Sequence, residues 1–238
     1  MATRPEALLF DVFGTVVDWR GSVIRELRRV GRRHGVRGDW GAFADAWRSG
    51  YRPAMAGVRR GDSAWRSIDE LHLEILKPLL ERAGLHLRPA EIRKLNAAWH
   101  RLKPWPDSAA GLARLKRHFV IGTLSNGNVS LLIDLARGGR LPWDVIFSAE
   151  LFRHYKPDPE VYIGAVALLG LPARAVMLVA AHKDDLAAAR RCGLRTAFVR
   201  RPLEHGLASQ ADASADPRAD FNAEDFVDLA RQLEGQAR

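Results

Sequence analysis

The second half of the chain alternates between short apolar runs and single segments of helical spacing. The runs are rich in branched and aromatic residues, which favour strands, and the segments between them repeat apolar residues every three or four positions. Strands that are joined by single helices form a parallel sheet with helices on both faces. We therefore predict an α/β fold with a doubly wound parallel-sheet, Rossmann-like core, whose strands include residues 119–124, 145–147, 176–180 and 196–199.

Another apolar run, Ala7-Leu8-Leu9-Phe10, lies near the N-terminus and ends at Asp11. A short run is apolar throughout when both faces of its strand are covered, so this segment is predicted to be a central strand. Gly14 breaks the strand pattern soon afterwards. Asp11 is thus expected in the crevice where open α/β sheets bind their ligands, although a helix cap or a loop acid gives the same local pattern.

The stretch between this strand and Trp105 contains four segments of helical spacing and no strand pattern. A run of helices after one buried strand indicates an inserted domain, and 238 residues fit one domain with a large insertion. We predict a Rossmann-like core of residues 1–16 and 98–238 and a helical cap domain of residues 17–97. Residues 207–220, rich in Ala, Ser and Asp, are predicted to be a surface segment that precedes a last helix.

The charge balance is basic, with 37 Lys and Arg against 28 Asp and Glu and a formal net charge of +9. Such an excess favours an anionic partner. The arginines are scattered over polar helix faces with no aromatic residues interleaved, so a nucleic-acid partner is not expected.

Cysteine content and hydropathy bear on the compartment. Cys192 is the single cysteine of the sequence, which excludes an intramolecular disulfide and a cysteine metal site and favours a reducing cytoplasm. No apolar stretch approaches the roughly 18 residues that span a bilayer, and the opening MATRPEALLFD becomes acidic too early for a signal peptide. We expect a cytoplasmic protein without a membrane partner.

Polar clusters follow four of the predicted strands. Because the carboxyl ends of parallel strands lie at one edge of a sheet, these clusters are expected to meet there. Each cluster alone is a common loop or surface sequence, but four in register with four strands indicate a functional site. They are residues 11–15 (DVFGT), 125–128 (SNGN), 156–159 (KPDP) and 182–185 (HKDD).

With these clusters the chain resembles the haloacid dehalogenase superfamily, and within it the L-2-haloacid dehalogenases (type II). The resemblance runs from Leu8 to Val199 and is carried by DVFGTVVD, LSNGN, YKPDPEVY and VAAHKDDLAAARRCGLRTAFV, with DAWRSGYRPAM in the predicted cap. It implies hydrolysis of short L-2-haloalkanoic acids to 2-hydroxy acids through an aspartyl-ester intermediate. It also implies a small anionic 2-haloacid as the substrate, and a homodimer.

The resemblance implies roles for individual residues as well. Asp11 is the implied nucleophile, Asp185 the implied residue for the water that opens the ester, and Arg48 the implied ligand of the substrate carboxylate. The implied catalytic residues are Asp11, Lys156, Asp185, Thr15 and Ser125, and the implied substrate or halide ligands are Arg48, Asn126, Val12, Phe13, Tyr162 and His182. The nucleophile role of Asp11 requires an ionised carboxylate. A carboxylate stays ionised in a crevice when a fixed cation such as Lys156 lies nearby. Thr15 and Ser125 are expected to donate hydrogen bonds to carboxylates.

Two positions depart from the phosphatases of the same superfamily, which carry a second aspartate two residues after the nucleophile and another in the fourth cluster. Phe13 and Ala181 stand there in this chain, and neither side chain donates a proton or binds Mg²⁺. We therefore expect no metal and no cofactor. A halide leaves as a weakly basic anion and needs only donors such as Arg48 and Asn126 to receive it.

Two further positions depart from the better-known dehalogenases. His182 replaces an asparagine and Ala180 a serine, while the AAH sequence followed by Asp-Leu resembles another subset of these enzymes. Alternatives therefore stay open. They are a metal-free relative that hydrolyses another electrophilic carbon, a small-molecule phosphatase with a rebuilt site, and a non-catalytic anion-binding protein on this scaffold.

Overall fold

The computed structural model of the protein describes residues 4–207 and 213–235. Within these ranges the strands are β1 (Ala7–Phe10), β2 (Val17–Asp18), β3 (Lys103–Pro104), β4 (Val120–Ser125), β5 (Val145–Ser148), β6 (Val176–Ala180), β7 (Arg195–Val199) and β8 (Phe221–Ala223).

The helices of the same ranges begin directly after β2. They are α1 (Trp19–Arg33), α2 (Trp40–Ser49), α3 (Tyr51–Arg59), α4 (Ile68–Arg82), α5 (Pro89–Asn96), α6 (Ser108–Leu115), α7 (Val129–Gly139), α8 (Ala149–Phe152), α9 (Pro159–Leu169), α10 (Lys183–Arg191) and α11 (Phe226–Gly235), with short 3₁₀ helices at Ala97–Arg101 and Ala173–Ala175. Not one of the helices described here has the length and apolar character needed to traverse a membrane.

The main sheet is parallel, with the strand order β5-β4-β1-β6-β7-β8. Phe10 of β1 pairs with Thr123 of β4 on one side and with Val179 of β6 on the other. The chain moves outward from β1 to β4 and β5, and later returns to the opposite side of β1 to form β6 and β7. The carboxyl end of β1 therefore borders the point where the strand order reverses, where ligands bind in such sheets.

Helices pack against both faces of the sheet, and the side chains of β1 alternate between the two layers. Leu9 belongs to a buried cluster that includes Tyr162 of α9 and residues of α10. Phe10 points to the other layer, where its ring centroid lies 5.3 Å from that of Phe226 in α11. All four residues of β1 are fully buried. The predicted doubly wound α/β core is confirmed.

The chain divides into two compact units. Trp19–Leu102 form a helical unit, and the described residues on either side of them form an α/β unit. The boundaries drawn from the sequence, after residues 16 and 97, fall a few residues earlier in the chain. The shift arises because β2 and β3 pair as an antiparallel ribbon, which keeps residues 17–18 and 103–104 in the α/β unit.

The helical unit has an aromatic core. Trp99 is fully buried, stacks on His72 at 4.2 Å between ring centroids, and contacts Trp47 edge-on at 5.5 Å. The unit has one α-helix more among its described residues than the four predicted, because α3 begins directly after Gly50. Pro53 lies in the first turn of α3, where its missing N–H has no intrahelical partner to lose.

The C-terminal part contains a strand that the sequence did not predict. β8 has only three residues, too few to show an alternating pattern, and it pairs with β7. In the predicted surface segment, Asp216 is buried and accepts a hydrogen bond from Arg190 over 2.9 Å. Residues 208–212 of that segment lie outside the described residues.

Candidate active site

The carboxyl edge of the sheet brings the predicted polar clusters together. Asp11 directly follows β1, Ser125 ends β4 and His182 lies two residues beyond β6. Lys156 reaches the same place from the loop that follows β5 and α8. The N–H of Asp11 donates to the carbonyl of Val179 over 3.0 Å, so the sheet itself fixes the position of this residue.

Three side chains surround the Asp11 carboxylate, which is only 7% exposed. Lys156 Nζ lies 2.9 Å from Oδ1, while Thr15 Oγ1 and His182 Nδ1 lie 2.7 Å and 3.1 Å from Oδ2. Burial by itself raises the pKa of Asp11, but the charges and hydrogen bonds of Lys156 and His182 outweigh it and hold that pKa well below its ordinary value of 3.8. Asp11 is therefore an ionised carboxylate that is largely removed from water.

Lys156 bridges Asp11 to a second buried carboxylate, Asp185. Its Nζ lies 2.5 Å from Asp185 Oδ2, and the lysine side chain is only 7% exposed. Burial by itself lowers the pKa of Lys156, yet the negative charges of the two carboxylates raise it above its ordinary value of 10.5. The ammonium charge is thus kept at neutral pH.

Asp185 differs electrostatically from Asp11. Tyr162 donates its hydroxyl hydrogen to Asp185 Oδ1 over 2.5 Å. Burial and the negative charge of Asp11 nevertheless raise the pKa of Asp185, against the opposing effect of Lys156. Two carboxylates whose pKa values are pushed apart suit different tasks, one as a permanent anion and the other in proton exchange.

Asn126 and Ser125 shape the loops that present Lys156. Asn126 Oδ1 accepts the Lys156 N–H over 2.7 Å, and its Nδ2 donates to the Lys156 carbonyl over 3.3 Å. Ser125 Oγ accepts the N–H of Gly127 over 3.1 Å. Within the described parts of the chain, no hydrogen bond joins Ser125 to a carboxylate, so the structure does not show the expected donation from this residue. The peptide bond between Lys156 and Pro157 is cis.

The apolar residues of the first cluster are buried beside Asp11. Val12 is 1% exposed and Phe13 is 3% exposed. Phe13 packs on Gly127, where an added Cβ would lie 3.1 Å from the Phe13 ring. On the opposite side, the N–H of Ala181 donates to Thr15 Oγ1 over 2.9 Å, which fixes the hydroxyl that contacts Asp11.

These residues do not fit a divalent cation. The Lys156 ammonium lies between the Asp11 and Asp185 carboxylates and contacts both. Phe13 and Ala181 contribute no side-chain oxygen. In the ranges that the structure describes, no group of three or more His, Cys, Asp or Glu side chains is arranged to hold a metal ion.

His182 connects Asp11 to a residue that the sequence analysis missed, Glu204. His182 Nε2 lies 3.0 Å from both carboxylate oxygens of Glu204, while Nδ1 faces Asp11. Burial by itself lowers the pKa of His182, but the charges of Glu204 and Asp11 and the hydrogen bonds to them raise it from 6.5 to about 10. In the resting site His182 is therefore an imidazolium between two carboxylates.

Glu204 approaches His182 across Gly14. The backbone of Gly14 has φ +85°, and a Cβ at this position would lie 2.1 Å from Glu204 Oε1, so only glycine leaves room. Glu204 is buried in the turn after β7, within the sequence Arg200-Arg-Pro-Leu-Glu-His205. This is a fifth polar cluster at the same sheet edge, and the rule that identified the other four applies to it equally.

Arg48 lies in the helical unit, in the last turn of α2. Its guanidinium carbon lies 4.2 Å from the ring centroid of Tyr51 and 5.7 Å from that of Trp19. Cation–π contacts on two rings restrict the position of the guanidinium. The α/β unit, by contrast, joins the other predicted polar residues except Ser125 into one network: Asp11, Thr15, Asn126, Lys156, Tyr162, His182 and Asp185.

Comparison of the sequence with known proteins gives one family. A family model for haloacid dehalogenase-like hydrolases matches residues 5–193. A Pseudomonas sp. (strain CBS-3) protein named (S)-2-haloacid dehalogenase 1 is 30% identical over 225 residues, which are 86% of this chain and 89% of that protein. The (S)-2-haloacid dehalogenase 4A of Burkholderia cepacia is 28% identical over 230 residues, which are 89% and 94% of the two chains.

Solved structures give the same result. A crystal structure of an L-2-haloacid dehalogenase is 47% identical with a TM-score of 0.94, and the match covers 97% of this chain and 99% of that one. A crystal structure of a defluorinating L-2-haloacid dehalogenase is 42% identical with a TM-score of 0.95, covering 98% and 100% of the two chains. The similarity thus extends over nearly the whole chain.

Proposed function

Because this chain belongs to the haloacid dehalogenase-like hydrolase family, we propose that it hydrolyses the carbon–halogen bond of short L-2-haloalkanoic acids. The products are the 2-hydroxy acid and a halide ion. The observation that carries the proposal is an ionised, buried Asp11 beside Lys156, with Phe13 where a phosphatase of this superfamily has its acid. The relatives named as (S)-2-haloacid dehalogenases support the same reaction.

In the first half-reaction a carboxylate oxygen of Asp11 attacks the carbon that bears the halogen. A carbon–oxygen bond forms as the carbon–halogen bond breaks with inversion, and the halide leaves with the bonding electron pair. Lys156 keeps the carboxylate ionised without a hydration shell, since its Nζ lies 2.9 Å away. Orientation and desolvation of this kind make a weak nucleophile reactive.

Substrate binding is assigned to residues of both units. Arg48 binds the substrate carboxylate by a bidentate contact, for which a guanidinium is well shaped. Asn126 contributes to receiving the halide, and the buried side chains of Val12, Phe13 and Tyr162 surround the alkyl group. The support for these roles is the burial of the three apolar or aromatic side chains and the aromatic contacts that hold Arg48.

In the second half-reaction water attacks the carbonyl carbon of the Asp11 ester. Ester formation removes the negative charge of Asp11, which lowers the pKa of His182 and lets it release its proton to solvent. His182, held by Glu204 at 3.0 Å, then accepts a proton from the attacking water. Asp185 assists the proton exchange through its contact with Lys156. On cleavage of the ester, the leaving alkoxide takes this proton from His182 and becomes the 2-hydroxy acid, and the new Asp11 carboxyl group gives its proton to His182, which restores the carboxylate.

Release of halide from the two enantiomers of 2-chloropropionate tests the proposal. We expect release from the L enantiomer by the wild-type protein, none by Asp11→Asn, and wild-type release by Asp134→Asn, a matched change on α7. A chelator should leave the rate unchanged, because the site does not fit a cation. Fluoroacetate belongs in the assay because one similar structure is named as defluorinating.

The same assay separates the alternatives. Release of phosphate from a phosphate monoester, lost with a chelator, would indicate a phosphatase. Anion binding that survives Asp11→Asn, with no turnover by the wild type, would indicate a binding protein. The phosphatase outcome is not expected, since the Lys156 ammonium lies between the Asp11 and Asp185 carboxylates and Ala181 supplies no side-chain oxygen to a magnesium ion.

The compartment and the oligomer are also proposals. A reducing cytoplasm suits a chain whose single cysteine, Cys192, forms no disulfide within it. A homodimer is proposed from the family resemblance, and Leu151, Ile163 and Leu168, each more than half exposed on α8 and α9, support it. Sedimentation equilibrium of the intact protein decides the oligomeric state, since a monomer mass at micromolar concentration would contradict the dimer.

A further inference from the structure

Arg201 and Asp107 form an ion pair outside the network that contacts Asp11. The two terminal nitrogens of Arg201 donate to the two oxygens of Asp107, each over 2.8 Å, and the side chains are only 7% and 12% exposed. The guanidinium carbon also lies 4.7 Å from the ring centroid of Phe226 and 5.8 Å from that of Trp105. A guanidinium held by a bidentate carboxylate and two rings keeps one position.

The third guanidinium nitrogen of Arg201 reaches the loop that carries Asp11. Its Nε donates to the Thr15 carbonyl over 2.8 Å. The hydroxyl of the same Thr15 donates to Asp11 Oδ2 over 2.7 Å. A displacement of Arg201 therefore changes the position of a direct partner of Asp11.

Arg201 also begins the turn that carries Glu204. The N–H of Glu204 donates to the Arg201 carbonyl over 3.1 Å, and the Glu204 carboxylate holds His182. Trp105, next to the ion pair, donates its indole hydrogen to the Gly14 carbonyl over 2.8 Å. The group around Arg201 thus fixes both sides of the narrow gap between Gly14 and Glu204.

We infer that Arg201 is a positioning residue for ester hydrolysis, because it holds the Glu204 turn against the Asp11 loop so that His182 faces Asp11. The inference rests on the proposed function. It assigns Arg201 no contact with substrate. The bidentate pair of Arg114 with Glu234 has the same chemistry but joins α6 to α11, and among the described residues it makes no hydrogen bond to either loop.

The test compares Arg201→Met and Arg201→Lys with the matched control Arg114→Met. In Arg201→Met we expect kcat for halide release to fall about 30-fold, since small displacements of reacting groups have effects of this order. Mass spectrometry of the protein during turnover should show the Asp11 ester accumulating. Arg201→Lys keeps part of the hydrogen bonding, so its kcat for halide release is expected to fall only about threefold.

A third measurement does not depend on activity. In NMR titrations, His182 of the wild type should titrate near pH 10, because Glu204 and Asp11 flank it. In Arg201→Met its pKa should fall toward the ordinary value of 6.5, while Arg114→Met should leave it unchanged. A merely structural role of Arg201 lowers thermal stability without moving this titration.

The outcomes separate this inference from the proposed function. A wild-type protein that releases no halide contradicts the proposed function, and the His182 titration still decides the positioning role. The inference would be overturned if folded Arg201 variants kept the wild-type kcat, accumulated no ester and left the His182 pKa unchanged. An equal loss of kcat in Arg114→Met would overturn it as well. If Arg201→Met does not fold, Arg201→Lys decides by the same readouts.

Discussion

At the scale of single residues, the site depends on one ammonium group between two carboxylates. Lys156 contacts Asp11 and Asp185 and is buried with them. Without the positive charge of Lys156, the two buried carboxylates would repel each other. One of them would then take up a proton. A protonated or hydrated Asp11 is a poor nucleophile, so in the proposed mechanism the rate of the first half-reaction depends on this lysine.

Lys156→Met is therefore expected to lower kcat/KM for halide release by about 10³-fold. Steady-state halide release measures the effect, and thermal unfolding checks that the variant is folded. Lys116→Met is the matched control, because Lys116 also pairs with an acid, Asp144 at 2.7 Å, but lies outside the site. A folded Lys156→Met protein within tenfold of the wild-type rate would contradict the role given to the ammonium.

His182 makes a second prediction, about the pH dependence of stability. Its pKa is raised from 6.5 to about 10 in the folded protein, so folding favours the protonated form. Such a group contributes stability that is fully present below its unfolded pKa and is lost as the pH rises through its folded pKa. The contribution of His182 should be complete below about pH 6.5 and disappear near pH 10.

Thermal unfolding of the wild type and of His182→Gln between about pH 6 and pH 10.5 measures this effect. The difference in Tm between the two proteins should be largest at the acidic end and shrink steadily as the pH rises. A difference that stays constant or grows toward alkaline pH would show that His182 is not held as an imidazolium.

At the scale of elements, the turn after β1 is shaped by the approach of Glu204. Gly14→Ala introduces a Cβ that would lie 2.1 Å from Glu204 Oε1, at a backbone φ of +85°. The left-handed backbone alone costs about 1–2 kcal/mol for alanine. The added Cβ should also displace Glu204 from His182 and slow ester hydrolysis. We therefore expect kcat to fall at least about tenfold.

Gly35→Ala separates these two effects. Gly35 also has a positive φ, +68°, but a Cβ there meets nothing within 4 Å. Gly35→Ala should therefore lose stability by a similar amount and keep the wild-type kcat. Equal kcat values for Gly14→Ala and Gly35→Ala would mean that the contact between His182 and Glu204 does not matter for turnover.

Most strands of the parallel sheet and most of the polar network could be predicted because each rests on a local pattern, whereas the two-residue strands β2 and β3 show none. β1 is apolar throughout since both its faces are covered, and Asp11 and His182 follow directly from the ends of β1 and β6. Glu204 lies in a polar cluster that follows β7, so the rule used for the other clusters could have included it, but its contacts with His182 and Gly14 are visible only in the structure. β8 was missed because its three residues owe their strand conformation to pairing with β7.

The expected role of Ser125 shows a further limit of the sequence. A hydroxyl at the end of a strand can donate or accept, and its partner is decided by the loop that follows. In the structure Ser125 Oγ accepts the Gly127 N–H, while Thr15 donates to Asp11. Asn126 likewise pairs with the backbone of Lys156, a contact between segments 30 residues apart.

At the scale of the whole molecule, the proposed reaction uses residues from both compact units. The α/β unit contributes the carboxylate network, and the helical unit contributes Arg48. Because only a guanidinium makes two parallel hydrogen bonds to a carboxylate, Arg48→Lys is expected to raise KM for 2-chloropropionate at least about tenfold. Initial rates across substrate concentrations measure KM, and Arg82→Lys on α4 is the control.

A wild-type KM in Arg48→Lys would show that Arg48 does not bind the substrate carboxylate. The carboxylate chemistry of the α/β unit would be unaffected by that result. The two parts of the proposal are therefore tested separately, one by a change in substrate affinity and the other by a change in covalent chemistry.

In the proposed reaction, Asp11 itself bonds to the substrate carbon. The most direct measurement is a single turnover in water labelled with heavy oxygen, with enzyme in excess over 2-chloropropionate. Because water attacks the Asp11 ester and not the substrate carbon, the label should be absent from the 2-hydroxy acid and present in the peptide that contains Asp11. Label in the product of that first turnover would mean that water attacks the carbon directly and would contradict the account.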